Sequence, residues 1–168
     1  MKTAGGEREW SPAVRAVGPG DREWLRTNLR SEWGSERVVT RGRVHQADEL
    51  PGFIAEIDRE PIGYLIYAIN GEECEIIVLH STRGGAGAGS ALLAAVRRAA
   101  KKNGCRALRL ITTNDNTAAV RFYRKRGFRL VAVHRDAVTR ARRLKPEIPE
   151  IGRGGVPIRD EIEFEMLL

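Results

Sequence analysis

Four glycines crowded between Arg83 and Ser90 form the part of this 168-residue chain best suited to holding an anion. The stretch Arg83-Gly-Gly-Ala-Gly-Ala-Gly-Ser90 follows an apolar, β-like run from Glu75 to Leu79 and leads into a helix-forming segment from Leu92 to Lys102. Strand, glycine loop and helix start, in that order, bring backbone N–H groups close to a ligand. Glycine lets the chain turn and the ligand approach, while the helix N-terminus adds unpaired donors and positive potential. A phosphate-bearing ligand is the expected occupant.

Two nucleotide-binding readings fail on particular residues. A Walker loop needs Lys, then Ser or Thr, after its last glycine. Counting from Gly84 puts Gly89 correctly, but Ser90 stands where the lysine belongs. The dinucleotide fingerprint has Gly85 and Gly87 at the right spacing, but Ser90 replaces its third small residue. About 20 residues on, where an acidic ribose-binding residue is needed, lies Arg109.

A second constellation runs Asn116-Thr-Ala-Ala119-Val-Arg-Phe-Tyr123-Arg-Lys-Arg-Gly127-Phe128. Asn116 suits a helix N-cap, Ala119, Phe122 and Tyr123 fall on neighbouring faces, and Gly127 is a natural C-terminal stop. A phenol such as Tyr123, with a pKa near ~10, can donate to a thiolate whose acid lies near ~8.5.

Gly87-Ala88-Gly89-Ser90-Ala91-Leu92-Leu93, with His80 closing the preceding strand, resembles the pyrophosphate loop of the GNAT superfamily of acetyl-CoA-dependent acetyltransferases. The usual Arg or Gln of that loop falls on Gly84, with Arg83 one residue early. Asn116 to Phe128 is similar to the family's second cofactor motif. The resemblance covers residues 12–168, most specifically 73–134. The tail from Leu144-Lys-Pro to Gly155-Val-Pro-Ile-Arg-Asp-Glu161 looks like one uncharacterised bacterial branch, so the resemblance supplies a fold and a cofactor but no acceptor.

The resemblance implies a single α/β domain over 11–168. It would have three α/β/α layers and a mixed, mostly antiparallel sheet splayed between its fourth and fifth strands. It implies acetyl transfer from acetyl-CoA to a primary amine by direct attack in a ternary complex. Cofactor contacts would come from Val78, Leu79 and His80 and from Arg83, Gly84, Gly85, Ala86, Gly87, Ala88, Gly89 and Ser90. Asn116, Ala119, Tyr123 and Arg126 would supply the rest. Backbone N–H groups around Val78 to His80 would polarise the thioester carbonyl. Tyr123 would protonate the departing thiolate. Glu75, where relatives sometimes place a glutamate, is a candidate base, against the plainer reading of a surface carboxylate. Glu32 and Trp33, segment 37–45 and loop 146–157 are the expected acceptor-binding elements. The acceptor itself stays open among small amines, amino acids, antibiotics, peptide N-termini, lysine side chains and aminoacyl-tRNA.

The elements that must position these groups follow an alternating order. Ala13–Val17 reads as a strand, and Pro19-Gly20-Asp21 caps a helix from Arg22 to Trp33. Residues 38–44 are β-branched and fit either a strand or a binding loop. Strands are expected over Phe53–Ile57, Ile62–Ile69 and Glu73–Leu79, the last pair joined at Asn70-Gly71. Helix Ser90–Asn103, strand Ala107–Thr112, helix Thr117–Arg126 and strand Phe128–His134 come next. Asp136 is expected to cap a short helix reaching Lys145. Residues 146–157 hold three prolines and three glycines and read as a long loop. Glu161–Leu168 alternates, with Ile162, Phe164 and Met166 opposite Glu161, Glu163 and Glu165, so one solvated face is expected.

Composition narrows the class further. At 42% hydrophobic, a chain of this length builds one globular core. Residues 1–10 are polar and read as a flexible segment rather than a signal peptide. No run is long enough to span a membrane. Cys74 and Cys105 stand apart without metal-ligand spacing, so no metal site is expected and a reduced cytoplasmic setting fits. The net charge of +7 is unevenly spread: residues 97–145 hold 16 Lys or Arg against Asp115 and Asp136. That field can steer an anionic cofactor. A CoA-binding regulator without turnover and a basic nucleic-acid-associated protein are the alternatives, and a monomer or homodimer is expected. No nucleic-acid motif accompanies the basic stretch. RNA or DNA titrated at physiological salt should therefore bind only at about micromolar Kd or weaker and fade as salt rises. Tight, salt-tolerant, sequence-selective binding would reverse that ordering.

Overall fold

The computed structural model describes residues 11–168; the segment 1–10 expected to be flexible lies outside the described residues. The chain runs β1 (Ala13–Ala16), α1 (Arg22–Trp33), β2 (Arg37–Thr40), β3 (Arg43–Gln46), β4 (Gly52–Ile57), β5 (Glu60–Asn70) and β6 (Glu73–Ser81). It continues through α2 (Ala88–Lys102), β7 (Ala107–Thr113), α3 (Thr117–Lys125), β8 (Arg129–His134), α4 (Ala137–Ala141) and β9 (Glu161–Leu167). Seven strands form one sheet in the order β1-β4-β5-β6-β7-β9-β8, and β2 and β3 form a separate hairpin. Short turns keep β4, β5 and β6 antiparallel, whereas α2 carries the chain across so that β7 lies parallel to β6. The result is the mixed, mostly antiparallel sheet expected of the GNAT fold.

Two cores flank the sheet. On one face Leu92, Leu93 and Val96 of α2 pack with Ile62, Leu108, Tyr123 and Phe164. On the other Leu25 and Leu29 of α1 pack with Val38, Ile54, Tyr64 and Val78.

A bulge in β6 opens the sheet. Ile66 pairs with Val78 and Tyr67 with Ile76, so Ile77 is the extra residue. Ile77 and Val78 consequently join the α1-side core, while Ile76 and Leu79 pack on the α2 side. The β6–β7 ladder ends at Ile76 and Leu110, although β6 runs on to Ser81 and β7 to Thr113. Beyond that point the fourth and fifth strands of the main sheet part, as the family resemblance implied.

Several local expectations change. Residues 38–44 fall in a hairpin rather than one strand or a loop, because Arg41 (φ 49°) and Gly42 (φ 72°) both take the left-handed conformation of a two-residue turn. The helix after Asp136 stops at Ala141, short of Lys145. Asp136 itself is left-handed (φ 57°) and its side chain caps nothing. Asn116, by contrast, does cap α3: its side-chain oxygen accepts the Ala119 N–H at 3.1 Å. The face of β9 expected to be solvated is covered, with Glu161 and Glu163 buried. Arg109 on β7 reaches Glu163 at 3.1 Å and Glu165 at 2.9 Å, and His134 on β8 bonds Glu163 at 2.6 Å. Arg41 of the hairpin turn closes over them. Alternation reports that the glutamates share a face; it says nothing of the arginines and the hairpin that cover it.

Candidate functional site

A groove of about 580 Å³ runs between the glycine loop and α3. Its walls include Arg83, Gly84, Gly85, Gly87, Ala88, Gly89 and Ser90 on one side and Ala119, Phe122, Tyr123 and Arg126 on the other. Gly85 (φ 74°) and Gly87 (φ 79°) are left-handed, which bends the loop into the start of α2. Gly87 is the N-cap residue, offers no side-chain acceptor, and no acidic residue stands in the first turn. The first N–H groups of a fifteen-residue helix therefore face the groove without a side-chain partner. Unpaired donors at a helix start can receive a phosphate group.

Gly89 has a different reason to be glycine. A Cβ there would lie 2.7 Å from Phe122 Cζ, so its absence lets α3 pack on α2. Arg126 stacks over the same ring, 3.5 Å from its centre, and donates to Ser90 Oγ at 2.8 and 3.1 Å. Ala86 turns out of the groove into a shallow hollow with Ile57, Asp58 and Arg83.

The parted strands enclose a second cavity of about 340 Å³. Ile76 to His80 and Leu110 to Thr113 form its sides, with Val38 to Thr40, Val138, Ala141 and Ile148 around it. Val78, His80, Asn116, Glu32 and Trp33 of the expected site all line this cavity. His80 stacks edge-on to Trp33, with ring centres 5.6 Å apart, and stands 3.9 Å from Glu32. Leu79, Ala119 and Tyr123 line both the groove and this cavity. Tyr123 is held by rings on several sides, Phe122 at 5.2 Å, Phe128 at 5.5 Å and Phe164 at 6.2 Å. Burial raises the pKa of its phenol, only weakly opposed by Arg126, so the hydroxyl keeps its proton at neutral pH.

Glu75 is neither plain surface nor part of the cavity wall. Its carboxylate is buried, accepts the Thr40 hydroxyl at 2.6 Å and meets Arg41 at 3.4 Å. Two groups that sequence reasoning passed over line the cavity instead. Glu161 is 2% exposed; its Oε2 accepts the Arg41 N–H at 3.2 Å. Burial raises its pKa, with the Arg41 N–H and His134 opposing. Lys145 is 3% exposed and donates from Nζ to the Arg37 carbonyl at 2.6 Å. Nothing in residue order marks Lys145 among the 16 basic residues between 97 and 145; for Glu161 the signal was the first step of an alternation.

The loop around 146–157 is held rather than free. Arg142 donates to the carbonyls of Ile148, Pro149 and Ile158, and buried Asp115 accepts the Arg153 N–H at 3.0 Å. Gly152 leaves the room that the Asp115 carboxylate occupies. Arg142, Lys145 and Arg109 thus serve internal contacts. Of the basic residues between 97 and 145, Arg126 alone lines the groove. Cys74, whose thiol burial pushes up to about 12, is no nucleophile. No helix among the described residues is long and apolar enough to cross a membrane.

A family model described as the acetyltransferase (GNAT) family matches residues 22–128. The uncharacterised protein YdhI of Bacillus subtilis is 46% identical over 137 residues, covering 81% of this chain and 86% of that protein. An acetyltransferase of Bacillus subtilis, solved in complex with CoA, superposes with a TM-score of 0.69 at 17% identity, over 94% of this chain and 99% of its own. A GNAT family acetyltransferase from Elizabethkingia anophelis, solved with acetyl-CoA bound, gives 0.66 at 21% identity over the same shares.

Proposed function

Since the chain belongs to the acetyltransferase (GNAT) family, whose members use acetyl-CoA to acetylate amines, we propose that it acetylates a primary amine by direct attack in a ternary complex. One observation carries this reading: Tyr123, with Leu79 and Ala119, lines both the glycine-loop groove and the cavity between the parted strands. A cofactor seated in the groove and an acceptor seated in the cavity would meet there. Residues 11–168 act as one unit in this reading.

The groove residues hold the pyrophosphate through the first N–H groups of α2, with Arg126 beside them. Acetyl-CoA, when bound, supplies an acyl group activated as a thioester. On the parted edge of β6 the Leu79 N–H, which turns away from β5, is placed to meet the thioester carbonyl. Glu161, rather than Glu75, takes a proton from the acceptor ammonium, because its carboxyl lines the cavity. Tyr123 donates its proton to the departing sulfur and regains one from the nitrogen as the amide forms. One proton is released to solvent overall. A reduced, cytoplasmic setting agrees with two buried free thiols, Cys74 and Cys105.

Gly84 offers a direct test. It has open space around its Cβ position and an ordinary backbone conformation, so side chains fit without strain. Gly84→Asp puts a carboxylate at the lip of the groove and is expected to weaken acetyl-CoA binding by about 10-fold, roughly 1.4 kcal/mol, measured by calorimetry. Gly84→Asn should stay within about 3-fold, less than 1 kcal/mol. Equal affinity in all three proteins would remove the phosphates from this loop.

A further inference from the structure

We propose that the acceptor carries a free carboxylate beside its primary amine, an amino acid rather than a plain amine, and that Lys145 Nζ receives that carboxylate. The proposal rests on the transferase reading above and adds the acceptor's chemical class. Lys145 is 3% exposed yet lines the cavity. An ammonium has three N–H donors. One goes to the Arg37 carbonyl, and among the described residues none goes to a carboxylate: Lys145 forms no ion pair, and Glu147 acts on it only at a distance. A buried cation left with unused donors is costly unless an anion completes its shell. Burial accordingly lowers its pKa from the ordinary lysine value.

The same cavity presents the opposite need at Glu161, a buried carboxyl whose Oε2 accepts only a backbone N–H. Arg41, His134 and Arg140 lie towards its other side, where it also borders a hollow outside the cavity. One cavity therefore holds a buried acid and a buried base that do not pair with each other. An ammonium and a carboxylate on a single small molecule satisfy both at once; a plain amine leaves Lys145 unmet. A cavity of about 340 Å³ suits a molecule of that size. The other charged groups on its wall, Glu32 and Arg153, are exposed and keep their water.

The test compares amino acids with their own amides, alanine with alaninamide, leucine with leucinamide and phenylalanine with phenylalaninamide, by CoA release from acetyl-CoA. The amide keeps the shape, removes the negative charge and has the more readily deprotonated amine, so any preference for the acid reports recognition of the carboxylate. We expect kcat/KM for at least one acid to exceed that of its amide by about 10-fold or more, the value of one charge-assisted hydrogen bond. Lys145→Met should erase this preference and Lys145→Arg should restore part of it, with acetyl-CoA affinity by calorimetry unchanged in both. Amides turned over as well as or better than acids by the wild-type protein would overturn the proposal, and so would acetyl-CoA binding with no acid of the panel acetylated. Both of those results leave the cofactor site standing. Failure of the wild-type protein to bind acetyl-CoA at all would instead overturn the transferase reading beneath it.

Discussion

Tyr123→Phe is expected to cut turnover by ~10²-fold while acetyl-CoA affinity stays within ~3-fold. The ring is what packs: Phe122, Phe128 and Phe164 surround it, and phenylalanine keeps those contacts. Only the proton donor is lost. Burial holds the phenol protonated, which suits it to give a proton to a departing thiolate and makes it a poor base. Single-turnover rates and calorimetry separate the two effects. Activity equal to that of the wild-type protein would assign the donor to water or to another group and leave Tyr123 as a wall between the two cavities.

Glu161→Gln is expected to lower kcat/KM by ~10²-fold, the effect of removing a positioned base. The amide oxygen still accepts the Arg41 N–H, so the hairpin remains docked. The pH dependence gives a second readout. A base works only when ionised, so wild-type activity rises with pH through the pKa of this carboxyl. Burial lifts that pKa above the ordinary glutamate value near ~4.3 and Glu75 lifts it further, while the Arg41 N–H, His134 and Arg140 pull it down. The variant should lose that lower limb of the profile. Glu75→Gln, at a residue that bonds Thr40 and Arg41 and does not itself line the cavity, should stay within ~5-fold at neutral pH. A larger loss at Glu75 than at Glu161, with both proteins folded, would exchange their roles.

Much of this site was legible from residue order because it depends on local backbone conformation. An apolar run, glycines able to take positive φ and a helix start make a strand–loop–helix turn whatever surrounds them, and Gly85 and Gly87 do take that conformation. Asn116 caps α3 for an equally local reason. The alternation of β9 likewise requires only an extended chain.

Tertiary structure decided which side each alternating face turns to and what lies over it. The glutamates of β9 are buried because Arg109 lies beside them on β7 and the turn at Arg41 folds over them, a contact between residues 120 apart in sequence for Arg41 and Glu161. That cover draws Glu75 into an ionic cluster while Glu161 borders the cavity. The bulge at Ile77 has no marker in residue type, since Ile77 is as apolar as its neighbours, yet the β6–β7 ladder ends beside it and the cavity opens there. Lys145 becomes informative only through burial: beside fifteen other basic residues between 97 and 145 it carries the same formal charge, and its environment alone sets it apart. Residue types and spacing determined that this chain builds a strand–glycine-loop–helix turn and a capped helix bearing a tyrosine. Long-range packing determined which acids and bases share a cavity, because periodicity along one strand holds no information about the element that covers it.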